Sequence, residues 1–290
     1  MEKIIKILKS TDLFFIGASA FTYLLGAVLA QRAGSMLDLN ILLLGLVFFL
    51  SLYLLERNLN YLTSSRINVF SATSRSNRLQ SPEMAAFLLF LSFLLLFCLY
   101  GLIRADGLSG NRWIWLAFLS VGILINASSI RLWTVPYRWL TDALVVAPVM
   151  LFSGAILQRI PSERMLFFLS LPLFFLYLAS TAALMFEKFD SDAEKGRYSL
   201  LTAIGWEKTM NLHHGLIIAA YIALGVYFFV SGSWSIAWPA ALLAILSLFE
   251  VFQLERIARG LKPLWGVLRA TAVLQYLGLL YMLLFAFLIN

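Results

Sequence analysis

Nine stretches of the chain are almost continuously apolar: residues 13–31, 39–55, 84–103, 113–127, 140–157, 165–186, 212–230, 235–252 and 267–289. A helix needs roughly 20 such residues to cross the hydrocarbon of a bilayer. Lipid offers no partner to a free peptide group, and no stretch alternates with the two-residue period of a barrel strand. The pattern therefore predicts an all-α, polytopic membrane protein with nine transmembrane helices, forming one domain over residues 1–290. Pro148, Pro172 and Pro239 fall inside predicted spans and mark expected kinks.

Composition agrees with this reading. Apolar residues make up 61% of the chain and charged residues 13%, about half the ~25% of a soluble domain. Mean hydropathy is +0.88. Too little polar surface is left to cover a water-soluble globule. The single Cys98 sits inside an apolar run, so the sequence offers neither a disulfide framework nor a zinc cluster.

Charge placement tests the helix count independently, because Lys and Arg accumulate in cytoplasmic loops. With the N-terminus inside, only Arg32, Arg104, Arg112, Arg159 and Arg164 of the 22 basic residues fall outside. One helix more or fewer would reverse the later loops and destroy the asymmetry. The expectation is an integral protein of the plasma membrane with a cytoplasmic N-terminus and an external C-terminus. All eight Trp residues lie at or near predicted span ends, as indole rings do at headgroup level. The Lys-rich start and the following apolar run also resemble a signal peptide. That run is long for one, and its removal would leave an even number of spans. The net charge of +7 raises the question of nucleic acid. Its distribution by membrane side matches anionic lipid headgroups instead, so membrane lipids are the expected partners and nucleic acid is not.

Two cytoplasmic segments are long and polar. Between Arg57 and Arg78 the first carries four positive charges and no negative one. Asn60, Ser64 and Asn68 recur every four residues, so they share one face if the second helix continues past its apolar part. A solvated Ser/Asn-rich linker is the plain alternative. The second segment, Glu187 to Ser199, has four acids and three bases. Asp190, Asp192 and Glu194, with Gly196 behind them, suit a hard cation such as Mg²⁺, and a self-neutralising surface loop suits them equally.

These two segments resemble the motifs of the UbiA-type intramembrane prenyltransferases, and the resemblance covers nearly the whole chain. Asp192-Ala-Glu-Lys-Gly196-Arg-Tyr-Ser199-Leu200, ending at Ile204-Gly205, is similar to the second family motif. Asp192 matches its final Asp and Asp190 a frequent acidic position, while Lys188 stands where an Asp is expected. The first motif, Asn-Asp-x-x-Asp-x-x-x-Asp, aligns from Asn60 with its Asp positions taken by Tyr61, Ser64 and Asn68. Arg75 falls where the family has an Arg. Tyr137, Arg138 and Asp142 resemble a further family segment.

The resemblance implies a helical bundle with a central cavity, a prenyl diphosphate donor, a lipophilic acceptor and Mg²⁺ on the diphosphate. The metal role falls to Asp190 and Asp192. A two-sided Mg²⁺ clamp cannot be assembled without the first motif's carboxylates. Diphosphate binding falls instead to Asn60, Ser64, Arg66, Asn68, Arg75, Lys188, Lys195 and Arg197, whose cations and neutral polar groups do not repel a metal-free diphosphate. No catalytic residue is singled out.

His213 and His214 are adjacent on a predicted helix, point in different directions and make poor joint ligands. Asp142 and Glu250 are expected near inner helix ends at headgroup level, where an ionisable residue raises a functional question. No Walker A loop, Rossmann fingerprint, nucleophile elbow or HExxH is present. Two functions remain: a prenyltransferase, or a non-catalytic relative that binds an isoprenoid or another lipid or partners a membrane protein. A transporter ranks third, because no charge is expected at mid-span.

Overall fold

The computed structural model describes residues 13–67, 82–105, 107–108, 110–127, 138–159, 164–194 and 199–289, with backbone alone at 57, 59–67, 82–84, 124–127, 138 and 235–236. The helices are α1 (Leu13–Arg32), α2 (Leu39–Ile67), α3 (Pro82–Arg104), α4 (Arg112–Ala127), α5, α6 (Arg164–Phe186), α7 (Phe189–Glu194), α8 (Leu200–Ile204), α9 (Trp206–Ser231), α10 (Trp234–Ala258) and α11 (Trp265–Ile289). No strand occurs among the described residues. Helix α5 runs as Arg138–Leu144, a π-helical turn Val145–Val149, and Met150–Leu157.

Among the described residues, eight helices are long and apolar enough to cross a membrane. The ninth, α4, has 16 residues, about 24 Å at 1.5 Å per residue, short of a ~30 Å hydrocarbon core. The chain is a multi-pass, all-helical membrane protein.

Local chemistry sets the helix ends. Asp38 Oδ1 accepts from the backbone N–H groups of Asn40 (2.9 Å) and Ile41 (3.1 Å), capping α2. Helix α9 stops at Gly232, whose φ of 67° is left-handed. Pro148 has no N–H to donate, and around it the helix widens, with Met150 N–H reaching Val145 O five residues back. Pro172 and Pro239 lie inside unbroken helices.

Helices α1, α5, α6 and α11 supply most of the buried core, through residues such as Phe15, Tyr23, Leu151, Leu173 and Tyr276. Helix α1 packs on α5 and α11, α6 on α9 and α11, α10 on α11, and α2 on α3 and α4. Helix α3 turns Leu89, Phe93, Leu96 and Tyr100 outward, and an apolar exposed face of that width is a surface for lipid.

Side-chain contacts tie helix ends together at two places in the bundle. At one end Gln158, after α5, bonds the backbone of Asp38 between α1 and α2. At the other, here called the basic end, Arg269 of α11 grips Glu187 after α6.

Candidate functional site

Helix α2 continues well past its apolar window, which ends at Glu56. The continuation places Asn60 and Ser64 one turn apart on one face of a helix, with Arg66 on the same segment. Asn68 and Arg75 lie outside the described residues, as do Tyr137, Lys195 and Arg197. One turn before Asn60, on the same face, stands Glu56, whose side chain is wholly buried. Glu56 closes the apolar window of α2. The four-residue spacing Glu56, Asn60, Ser64 was the available signal, and the acid's burial was not.

The second polar segment holds structure that its composition concealed. Phe189–Glu194 forms the short helix α7, with Lys188 exposed just before it. Asp190 is exposed and Asp192 partly buried. Two residues apart on a helix is a rotation of about 200°, so α7 turns these carboxylates away from each other. Among the described residues, no group of three or more His, Cys, Asp or Glu side chains comes together to hold a metal ion. The described donor set therefore does not fit a two-sided Mg²⁺ clamp.

Ser199 caps α8 in a reciprocal box. Its hydroxyl accepts from Thr202 N–H (3.2 Å), and Ser199 N–H donates to Thr202 Oγ1 (2.8 Å). Gly205 then turns the chain into α9 at φ 87°, ψ 167°, a region open almost only to glycine. Ser199-Leu200 and Ile204-Gly205 are thus the cap that starts α8 and the hinge that joins it to α9.

At that end lies a cavity of about 720 Å³, lined by Asp190, Trp206, Glu207, Met210, Ile257 and Trp265 among others. Trp206 packs edge-on against Phe186, Phe189 and Trp265, with centroids 4.5, 5.9 and 6.5 Å away. These rings join α6, α7, α9 and α11 into one wall. Beside it Arg269 donates through Nε to Glu187 Oε2 at 3.1 Å and through Nη2 to Oε1. The hydrogen bond from Arg269 holds the Glu187 carboxyl below its usual range, against partial desolvation.

Asp142 lies one turn into α5 from Arg138 and is partly buried. Glu250 departs from the expectation of headgroup-level placement. It is wholly buried inside the bundle, with Oε1 3.2 Å from Nε2 of the equally buried His213. The pair also corrects the expectation of no charge at depth. It joins residues 37 positions apart on two helices, a contact no local pattern announces. His214 points elsewhere, with Nδ1 4.0 Å from Glu255.

The fold has solved relatives. The apo structure of a UbiA homolog from Aeropyrum pernix K1 superposes with a TM-score of 0.65 at 14% identity, covering 95% of this chain and 97% of that one. The chain has the UbiA-type fold. A digeranylgeranylglyceryl phosphate synthase superposes with a TM-score of 0.58 at 18% identity, over 100% of this chain and 98% of that one. No protein-family model matches the sequence, and no curated protein does. The UbiA-type likeness thus spans the chain from end to end as architecture, while little of the sequence is shared.

Proposed function

We propose that this protein is a UbiA-like prenyltransferase that works at the basic end of the bundle, taken as cytoplasmic, in the plasma membrane. It transfers the prenyl group of an isoprenoid diphosphate to a lipophilic acceptor within the bilayer. The observation that carries the reading is the likeness to UbiA-type structures along the whole chain. Fold alone is a limited warrant for chemistry, and the extension of α2 through Asn60 and Ser64 adds a polar helix face where the first motif aligns.

In this reading Asn60, Ser64, Arg66, Asn68, Arg75, Lys188, Lys195 and Arg197 bind the diphosphate. Their N–H and O–H donors spread over its oxygens, and Arg offers a planar fork to two of them. The allylic C–O bond breaks, diphosphate departs with the electron pair, and the acceptor bonds to the allylic carbon and loses a proton. Mg²⁺ would supply further charge neutralisation on the diphosphate, with Asp190 or Asp192 as a single carboxylate contact. The test is diphosphate release by purified protein in lipid nanodiscs from radiolabelled prenyl diphosphates of several chain lengths, with and without Mg²⁺. Release that falls at least tenfold in Arg66→Ala supports the reading, and no release with any donor or acceptor rejects it.

A second reading, a non-catalytic lipid-binding relative, is favoured by the neutral residues at the first motif's acidic positions. Native mass spectrometry of the purified protein would then show a bound prenyl lipid without turnover. Metal-dependent prenyl diphosphate binding would appear only in the variant carrying Tyr61→Asp, Ser64→Asp, Asn68→Asp and Lys188→Asp.

A further inference from the structure

The His213–Glu250 pair brings a base and an acid together inside the bundle. His213 is seven residues into α9 from Trp206 and Glu250 eight from the end of α10. At 1.5 Å per residue both lie about 10–12 Å inside their helices. Both side chains have zero exposure. Ionisable groups at such depth are costly and rarely serve packing alone.

The pair leaves polar atoms over. His213 Nδ1, Glu250 Oε2, Gln253 Nε2 and both amide atoms of Gln275 are buried without a hydrogen-bond partner among the described residues. Gln275 belongs to α11, which runs antiparallel to α10. A Cβ at Gly278 would meet Leu243 Cδ2 at 3.2 Å, so seven residues back along α11 and seven forward along α10, Thr271 is level with Glu250. Gln275 is one turn further from the basic end, level with Leu246, next to Ser247, whose hydroxyl meets Tyr221 of α9 at 2.8 Å. By axial level, α9, α10 and α11 each place buried polar groups in this part of the bundle, with α10 packed against both of the others. More than nine in ten buried polar groups find a partner, and water is the usual one where the protein supplies none.

Below these groups lies an apolar floor. Met210, Leu254 and Leu268 pack in one buried cluster with Phe186 and Leu201. They precede or follow His213, Glu250 and Thr271 by a single turn. Met210 also lines the basic-end cavity. One layer of side chains thus separates the pair from the aqueous end.

We propose that α9, α10 and α11 enclose a hydrated proton-exchange site, in which His213 and Glu250 share one proton and bound water links them to Gln253 and Gln275. Proton and water enter from the basic-end cavity past Met210. Sharing one proton keeps the pair neutral overall, as an ion pair or as two uncharged groups, which avoids a net charge in low dielectric. On uptake of a second proton the imidazole becomes cationic beside a neutral carboxyl, and release returns it to water. The site is independent of the prenyl reading.

The other titratable groups around the pair have places of their own. His214 has its ring centroid 5.5 Å from that of His213 and faces Glu255. Tyr221 of α9 bonds Ser247, Arg269 of α11 holds Glu187, and Tyr276 of α11 meets Thr22 at 3.3 Å. Tyr177 of α6 stacks edge-on against Tyr276. Among the described residues, Tyr221, Arg269 and Tyr276 thus bond groups outside the pair, while His214 meets the His213 ring edge-on.

The test is infrared difference spectroscopy of the full chain in lipid nanodiscs, titrated from acid to alkaline pH in H₂O and in D₂O. A protonated-carboxyl band that titrates, shifts on exchange into D₂O, moves in His213→Gln and vanishes in Glu250→Gln supports the proposal. Where Glu250→Gln does not fold, Glu250→Asp must move the band instead. A spectrum without a titrating carboxyl band, one whose band survives these Glu250 variants, or one whose band does not shift in D₂O over hours overturns it.

Discussion

Gly26 of α1 and Gly154 of α5 lie reciprocally against each other's helix backbone. A Cβ on Gly26 would collide with the carbonyl oxygen of Leu151, and one on Gly154 with that of Tyr23. Neither obstacle is a side chain that can swing away. In a membrane, where apolar burial does not drive helices together, such contact comes from small residues at the crossing.

Gly26→Ala and Gly154→Ala should therefore each destabilise the fold by about 3 kcal/mol, at the upper end of overpacking costs. Gly225→Ala, whose Cβ meets nothing within 4 Å, should be neutral or raise stability by roughly 0.5–1 kcal/mol, as alanine does in a helix. Thermal unfolding of the three variants in one detergent separates these outcomes. Equal midpoints would disprove the crossing.

Gln158 makes a two-way bond with the backbone of Asp38. It donates through Nε2 to Asp38 O (3.2 Å) and accepts from Asp38 N–H at Oε1 (2.9 Å), while Ser35 Oγ donates to Arg159 O (2.8 Å). Gln158→Leu fills the same space without the polar atoms and leaves Asp38 N–H without its partner, while Asp38 O keeps the bond from Leu42 N–H at 2.9 Å, so the cost should be about 1 kcal/mol. Hydrogen exchange should show Asp38 and the first turn of α2 opening faster. Unchanged protection there would remove the latch from the account.

Gly205 holds φ 87°, ψ 167° where α8 passes into α9. Gly205→Ala should cost about 1–3 kcal/mol in backbone strain. Ser199→Ala should cost about 1 kcal/mol through the lost cap. Both effects should concentrate in α7 and α8, so limited proteolysis near residues 195–205 should quicken before global unfolding does. Cleavage that tracks global unfolding alone would contradict this.

The Glu187–Arg269 pair predicts a pH response of definite sign. The folded carboxyl sits below its ordinary value of 4.5, so the pair's stabilisation is complete above that value and fades as pH falls through the depressed one. Solvent reaches both groups, so the effect should be small and shrink in roughly 1 M salt, where the Debye length is near 3 Å. Comparing Arg269→Gln with the parent at pH 7 and at pH 3 tests it. A stability difference as large at pH 3 as at pH 7 would falsify the assignment.

Much of the architecture was legible in the chain. The apolar runs at 13–31 and 165–186 correspond within one residue to α1 and α6, because lipid permits few alternatives to a helix there. The extension of α2 was written in the spacing of Asn60 and Ser64. Helix α7 was hidden by a composition that also suits a loop. Glu250 was misplaced at headgroup level, because sequence distance from a span end says nothing about which face a residue turns inward.

What the sequence alone determined is the all-helical, multi-pass architecture and where its polar stretches fall, since hydropathy and chain length act locally and lipid leaves the backbone little choice, while the ninth expected span is a helix of only 16 residues. Only the tertiary structure decided that Gly26 meets Gly154, that His213 meets Glu250 and that Asp190 faces a cavity walled by two tryptophans. Those contacts depend on which helices neighbour one another and how each is rotated about its axis. In a bundle whose helices are apolar nearly all round, the hydrophobic pattern leaves that rotation undetermined, and close packing of small residues and buried polar groups sets it.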